Sequence, residues 1–99
     1  MEEKLLKIIN KFGVNNQQRK LVEEVFELNE VITKHEALGC EYQHIVEEIA
    51  DVMVILEQIK LYYEITSKEI TDIFWNKVDR TIDRIEEGYY ENERNKNNI

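Results

Sequence analysis

The chain has 99 residues, among them three glycines and no proline, and 34% of its residues are charged. One domain of this length buries only a modest core, and the composition favours long helices over a sheet with its many turns. The net charge of −8 at pH 7 would repel a nucleic-acid backbone and an anionic membrane surface, so we expect neither as a partner. We expect an all-α protein that forms a homo-oligomer.

The redox setting and the location follow from what the sequence contains. Cys40 is the only cysteine, so no intramolecular disulfide can form and a reducing compartment is the simplest setting. Residues 1–4 are not followed by an apolar stretch of signal-peptide length, and nowhere do about 18 apolar residues run together. We expect a soluble, cytoplasmic protein.

The first two helices are predicted from apolar spacing and from the residues between them. Apolar residues recur at helical spacing over residues 5–12 and predict a short first helix. Gly13 interrupts this pattern, and Asn15 with Gln18 three positions later suits a helix cap. A second helix is therefore predicted over about residues 17–38.

The remaining helices follow across short connections. Gly39 offers the left-handed geometry of a helix terminus, and a third helix is predicted over about residues 42–64. Thr66 and Glu69 form a capping-box pattern that opens a fourth helix, which continues to about Glu87. Short connections make neighbouring helices antiparallel, so we predict an up-and-down bundle of four helices.

The domain boundary is set by a change in composition. Residues 1–88 are predicted to form a single domain. Residues 89–99 are polar, without a periodic apolar face, and are predicted to be a frayed helix extension or a disordered tail.

The apolar seams of the second and third helices each contain an acid where packing favours an aliphatic residue. Glu24 interrupts the first seam and Glu48 interrupts the second. The seam of the second helix consists of Leu21, Glu24, Leu28, Val31, His35 and Leu38. The seam of the third helix consists of Ile45, Glu48, Val52, Ile55, Ile59 and Tyr62.

Each of these acids has an acidic companion three residues later. Glu27 follows Glu24 and Asp51 follows Glu48, and residues three apart project from nearly the same helix face. Glu27 lies twelve residues before Gly39 and Glu48 lies nine after it, so an antiparallel hairpin brings both pairs to similar heights. We predict one cluster of four carboxylates.

A cluster of this kind predicts a bound cation. Carboxylates held together in a medium of low dielectric constant repel one another, which costs stability unless a cation neutralises them. A donor set of oxygens alone favours Mg²⁺ or Mn²⁺ over zinc or copper. Magnesium readily takes phosphate oxygens as further ligands, so an acidic protein could hold a polyphosphate and direct a water molecule at phosphorus.

The two acidic segments have the form of known motifs. Residues 23–28 read Glu-Glu-Val-Phe-Glu-Leu and residues 48–52 read Glu-Ile-Ala-Asp-Val. They resemble the EExxEL and ExxDV motifs of the MazG-like all-α nucleotide pyrophosphohydrolases, and the resemblance covers most of the chain. It implies a four-helix homodimer or homotetramer that uses Mg²⁺, or Mn²⁺ as a substitute, to hydrolyse a ribo- or deoxyribonucleoside triphosphate to the monophosphate and pyrophosphate.

The resemblance also implies residue roles. Glu24, Glu27, Glu48 and Asp51 would be the metal ligands and catalytic residues, with Glu27 also orienting or deprotonating the attacking water.

Substrate-binding residues are implied on the fourth helix. The segment from Lys77 to Arg80 is similar to a KFxR stretch of the family that contacts phosphates, and cationic side chains suit the charge of a departing pyrophosphate. The family often has Asn two positions before that Lys, whereas this chain has Trp75 there and Asn76 next to it. The predicted substrate-binding residues are Trp75, Asn76, Lys77 and Arg80. Trp75 could stack on a base.

Three other functions fit parts of the pattern. A phosphoribosyl-ATP pyrophosphatase has a similar acidic motif but usually carries a Tyr-His pair where this chain has Val54 and Ile55. A di-iron carboxylate bundle needs Glu-x-x-His on two helices, and only Glu41 to His44 has that form. A non-catalytic interaction module derived from the same fold would contain the acids without gaining stability from Mg²⁺.

Overall fold

The structure is a computed structural model that describes residues 2–88. It confirms an all-α protein: the described residues form four helices and no strand. These are α1 (Glu2–Phe12), α2 (Val14–Leu38), α3 (Tyr42–Tyr62) and α4 (Ser67–Glu86). None of these helices is both long enough and apolar enough to cross a membrane. The predicted tail, residues 89–99, lies outside the described residues.

The chain divides into two compact units, one that ends at Ile65 and one that begins at Thr66. The first unit contains α1, α2 and α3, each of which packs against the other two. The second unit contains α4. The prediction that all four helices form one bundle stays a prediction.

Helices α2 and α3 are antiparallel, as the short connection predicts. Gln17, near the start of α2, donates a hydrogen bond from its Nε2 to the Oε1 of Gln58, near the end of α3, at 2.9 Å. Gly39 ends α2 in the predicted left-handed conformation, with φ of 71°, and its N–H donates to the carbonyl of His35. The turn at Gly39 therefore reverses the chain as expected.

The predicted start of α2 is wrong by three residues. The helix begins at Val14, and neither Asn15 nor Gln18 caps it. Gly13 precedes it with φ of 86° and ψ of 152°, a conformation that side chains disfavour. The Gly13 carbonyl accepts the first helical hydrogen bond from the N–H of Gln17, at 3.1 Å. One glycine thus both ends the helical path of α1 and starts α2, without a side-chain cap.

Helix α3 ends two residues earlier than predicted. Glu64 adopts the left-handed conformation, with φ of 56°, and its N–H donates to the carbonyl of Leu61. The N–H of Ile65 donates to the carbonyl of Lys60, which satisfies a carbonyl at the helix end. This local closure stops the helix at Tyr62.

The predicted capping box of α4 is confirmed. The hydroxyl of Thr66 accepts from the N–H of Glu69 at 3.2 Å, and the N–H of Thr66 donates to the Glu69 carboxylate at 2.8 Å. The reciprocal bonds satisfy two backbone N–H groups at the helix start. Helix α4 ends at Glu86, one residue before the predicted end.

The predicted seams of α2 and α3 hold the less exposed residues of both helices. Five of the six seam residues on each helix are at least partly buried, and the exceptions, Leu38 and Tyr62, are at the helix ends. Fully buried apolar side chains within the described residues are few, namely Ile9 on α1 and Ile55 on α3. The small core leaves room for half-buried acids on the seam.

Candidate metal centre

The acids lie in register because the two glutamines fix how α2 and α3 are aligned. From the hydrogen bond between Gln17 and Gln58, seven residues along each helix lead to Glu24 and Asp51. Ten residues along each helix lead to Glu27 and Glu48. Because both helices rise by the same distance per residue, the members of each pair are near the same level.

Three of the four predicted acids come together in one group. Glu24, Glu27 and Glu48 each offer a carboxylate oxygen, and these three oxygens all lie within 4.8 Å of one another. Glu24 and Glu48 are half-buried, and Glu27 is exposed. Two helices thus supply a convergent set of oxygen donors, the kind of group that binds a hard divalent cation.

Two oxygens of this group are buried without a partner. The Oε2 atoms of Glu24 and Glu48 are shielded from solvent and have no hydrogen-bond partner within residues 2–88. A buried polar atom left unpaired costs free energy, and a carboxylate costs more than a neutral group. Solvated acids on a protein surface have no such buried, unpaired oxygens, so these two atoms distinguish the group from surface acids.

The charges of the group act on the protonation of Glu24. A side-chain hydrogen bond with Glu48 raises the pKa of Glu24 above its ordinary value, and burial raises it further. The negative charges of Glu48 and Asp51 add to the increase in this pKa, and the positive charge of Lys20 opposes it. Without a cation, the group favours a proton on Glu24.

Asp51, predicted as the fourth ligand, lies outside the group of three. It is exposed, and it follows Glu48 by about 4.5 Å along α3, on the side away from Glu27. Its charge still raises the pKa of Glu24. Asp51 and Glu24 both line a cavity of about 620 Å³ between α1, α2 and α3. The structure therefore places Asp51 beside the group and at the edge of this cavity.

The predicted substrate-binding residues of α4 divide into two sets. Asn76, Lys77 and Arg80 line one shallow depression of about 280 Å³ on α4. Neither Lys77 nor Arg80 forms an ion pair within the part of the chain that the structure describes. Trp75 does not line this depression; its ring packs edge-to-face against Phe74, with centroids 5.1 Å apart. Their role in substrate binding stays a prediction.

Two buried residues that line the same cavity as Glu24 and Asp51 were missing from the predicted site. Gln17 is 5% exposed and Gln58 is 1% exposed. Their sequence signal is the seam itself. One helical step back from Leu21 reaches Gln17, and one step on from Ile55 reaches Gln58. The predicted seam of α2 began at Leu21, and that of α3 passed from Ile55 to Ile59, so neither included a glutamine.

No protein-family model, curated protein or solved structure matches this chain.

Proposed function

We propose that this chain is a magnesium-dependent hydrolase that cuts a nucleoside triphosphate between its α and β phosphates. The observation that carries the proposal is the group formed by Glu24, Glu27 and Glu48, with oxygens within 4.8 Å of one another and two of them buried and unpaired. The sequence motifs that contain these residues resemble those of the MazG-like pyrophosphohydrolases, which supports the choice of reaction.

The donor set fits Mg²⁺ or Mn²⁺. All three groups are carboxylates, and the described residues bring no histidine or cysteine into the group. A bound divalent cation would satisfy the two unpaired oxygens of Glu24 and Glu48 and remove the repulsion that favours a proton on Glu24. When bound, such a cation supplies a positive charge that holds phosphate oxygens and lowers the pKa of a coordinated water.

Each residue of the site has a part in the proposed hydrolysis. Glu24 and Glu48, the half-buried acids, hold the cation, and Asp51 extends the negative edge of the site toward the cavity. Glu27, the exposed acid, accepts a proton from the attacking water. The oxygen of that water bonds to phosphorus, the bond to the bridging oxygen breaks, and pyrophosphate leaves. Lys77, Arg80 and Asn76 are proposed to bind phosphates.

The proposed enzyme is an assembly of identical chains. Exposed apolar residues recur at helical spacing along α3, and α2 carries exposed apolar residues of its own. On α3 they are Val46, Ile49, Met53 and Leu56, and on α2 they are Val22, Val25 and Phe26. An exposed apolar stripe of this kind marks an interaction surface. We propose that a second copy covers it.

The test of the reaction is pyrophosphate release with Mg²⁺ or Mn²⁺ from ribo- and deoxyribonucleoside triphosphates and from phosphoribosyl-ATP. We expect metal-dependent release that Glu48→Gln lowers by a factor of about 100 or more, because a ligand to the cation is lost. Glu47→Gln is the matched control: Glu47 is the exposed neighbour and its replacement should leave the rate unchanged. If phosphoribosyl-ATP were hydrolysed and no simple nucleoside triphosphate were, phosphoribosyl-ATP would take the place of the proposed substrate.

Heat stability gives a second readout that does not depend on turnover. A cation bound only by the folded state stabilises it by about 2.7 kcal/mol at 100 times its Kd. Mg²⁺ should therefore raise the Tm of the wild type and of Glu47→Gln, and raise that of Glu48→Gln much less. No stabilisation of the wild type by Mg²⁺, with no turnover of any substrate, would contradict the proposal and favour an interaction module.

A further inference from the structure

The cavity beside the acids has the size of a small-molecule site. Its volume of about 620 Å³ lies within the range of roughly 300–1,000 Å³ that is usual for ligand pockets. Its apolar wall includes Ile8 and Phe12 of α1 and Val54 of α3. Its polar wall includes the side chains of Gln17, Gln58, Arg19 and Lys20. Eight of the twelve lining residues are polar or charged, so the cavity suits a polar ligand that also has an apolar face.

The cavity is chemically different at its two ends. All four of Glu24, Asp51, Gln17 and Gln58 line it, and the register of α2 and α3 puts the two acids at one end and the two glutamines at the other. Seven residues separate the two ends on each helix, which at 1.5 Å per residue is about 10 Å. An extended ligand with an anionic end held through a cation at the acids would therefore place its other end beside the amides.

The amide end offers an unused acceptor. Gln17 is nineteen-twentieths buried, and its one hydrogen bond within the described residues is the donation from Nε2 to Gln58. The Nε2 of Gln58 donates in turn to the carbonyl of Val54 at 3.2 Å. The carbonyl oxygen of Gln17 accepts no hydrogen bond within residues 2–88, and it is not among the buried unpaired atoms of these residues, so it is open to solvent. An open amide oxygen on a cavity wall, with its own N–H₂ beside it, suits a ligand edge that pairs a donor with an acceptor.

The remaining walls fit a flat, phosphate-bearing ligand. Phe12 lines the cavity, and its side chain is exposed enough to offer a ring face. Arg19 and Lys20 line the cavity as well, and neither forms an ion pair within the described residues. Lys20 lies one helical turn before Glu24 on α2, and Glu23, a further acid, also lines the cavity. Lys20 thus supplies one positive charge on the side where phosphates would be held.

We propose that this cavity binds the nucleoside part of the substrate, with the base against Phe12 and its hydrogen-bonding edge on the Gln17 amide. The sugar lies along α2, and the phosphates extend past Lys20 to the acids. This assignment rests on the proposed function for its substrate class. It places the base in the cavity instead of on Trp75.

The test uses neutral nucleosides, so it needs neither a metal nor turnover. The probes are adenosine, guanosine, cytidine and uridine, with ribose as the comparator that lacks a base. In ¹H–¹⁵N NMR spectra of the metal-free protein, at least one nucleoside should shift the side-chain N–H₂ signals of Gln17 and Gln58. Ribose should not shift them, and the N–H₂ signals of the exposed Gln18 and Gln43 should stay in place.

Variants identify the surface that holds the base. Phe12→Ala should raise the Kd for that nucleoside by about 5-fold or more, because base stacking contributes about 1–3 kcal/mol. Phe74→Ala is the matched control, since Phe74 and Phe12 are both 54% exposed and Phe74 does not line the cavity. Trp75→Ala should leave the Kd unchanged. Because Phe12 is exposed, its replacement spares the core, and far-UV circular dichroism checks that the helices persist.

The outcomes separate this assignment from the proposed function. Nucleoside binding at Gln17 and Phe12 without hydrolysis of any triphosphate would retain the cavity and reject the enzyme. Hydrolysis with no nucleoside shift at Gln17, or with binding lost in Trp75→Ala and kept in Phe12→Ala, would overturn the cavity assignment and retain the enzyme.

Discussion

The carboxyl group of Glu24 is held where an acid is least stable when charged. The neighbouring Glu48 side chain, partial burial and the negative charges of Glu48 and Asp51 raise its pKa, and the positive charge of Lys20 opposes the increase. Because the unfolded chain has the ordinary value, about 4.5, the folded protein binds more protons than the unfolded one just above that pH. Stability conferred by Glu24 therefore falls as pH rises through this window.

Replacing Glu24 by Gln tests this sign. Without metal, Glu24→Gln should raise Tm by a few degrees at about pH 7, because the variant removes the charge that the folded state disfavours. The gain should shrink as pH falls and vanish below about pH 4.5, where the acid is protonated in both states. The measurement is a series of thermal melts in chelator. Glu23→Gln is the control, and a gain independent of pH would contradict the argument.

At the scale of the helices, the hydrogen bond between Gln17 and Gln58 is what aligns α2 with α3. It is buried, and it joins residues 41 positions apart in the chain. A slip of one helical turn would break it and leave two amides unpaired in the core. The level of each acid on its helix is thus fixed by a neutral pair about 10 Å away along the helices.

Removing one member of this pair should cost more than removing both. Gln17→Leu leaves the Oε1 of Gln58 buried without a donor, which should lower the free energy of unfolding by about 1–3 kcal/mol. The double variant Gln17→Leu/Gln58→Leu should recover part of that loss, since both polar groups are gone. Urea denaturation measures both effects, with the exposed Gln18→Leu as control. Additive losses would show that the pair is not coupled.

Sequence spacing predicted the elements whose signals are local. The capping box at Thr66 and Glu69 and the glycine terminus at Gly39 depend only on neighbouring residues, and both are confirmed. The start of α2 was mispredicted because Asn15 has the right residue type for a cap, while the backbone of Gly13 makes one unnecessary. Local pattern alone does not decide between those two solutions.

The acids of the candidate site could be predicted from the sequence, and the two glutamines of the adjoining cavity could not. Glu24 and Glu48 stood out because they break an apolar seam. Gln17 and Gln58 did not, because a glutamine beside an apolar seam is ordinary until a partner 41 residues away in the chain is seen to bond with it. Asp51 follows the spacing rule and lies near the level of Glu24. Its side chain is exposed and lines the cavity, and it is not part of the group of three. Tertiary register, not residue type, decides these cases.

For the whole molecule, the small core and the exposed apolar stripe of α3 predict self-association. Met53→Lys introduces a charge in the middle of the stripe, so it should shift the protein toward smaller species and raise the concentration at which copies associate. Gln43→Lys makes the same change in charge near the start of α3, at an exposed residue off the stripe. Sedimentation velocity over a range of concentrations compares the two. Identical profiles would reject the stripe as the interface.

The single residue between α1 and α2 has a consequence for how such a protein could change its ligand. The walls of the cavity come from α1, α2 and α3, while the carboxylates of the candidate metal centre come from α2 and α3 alone. Gly13 sets the angle between α1 and α2, and no atom lies within 4 Å of the place where a Cβ would be. A side chain there would meet backbone strain rather than a clash. A change at Gly13 can therefore alter the width of the cavity and leave the spacing of the three carboxylates as it is.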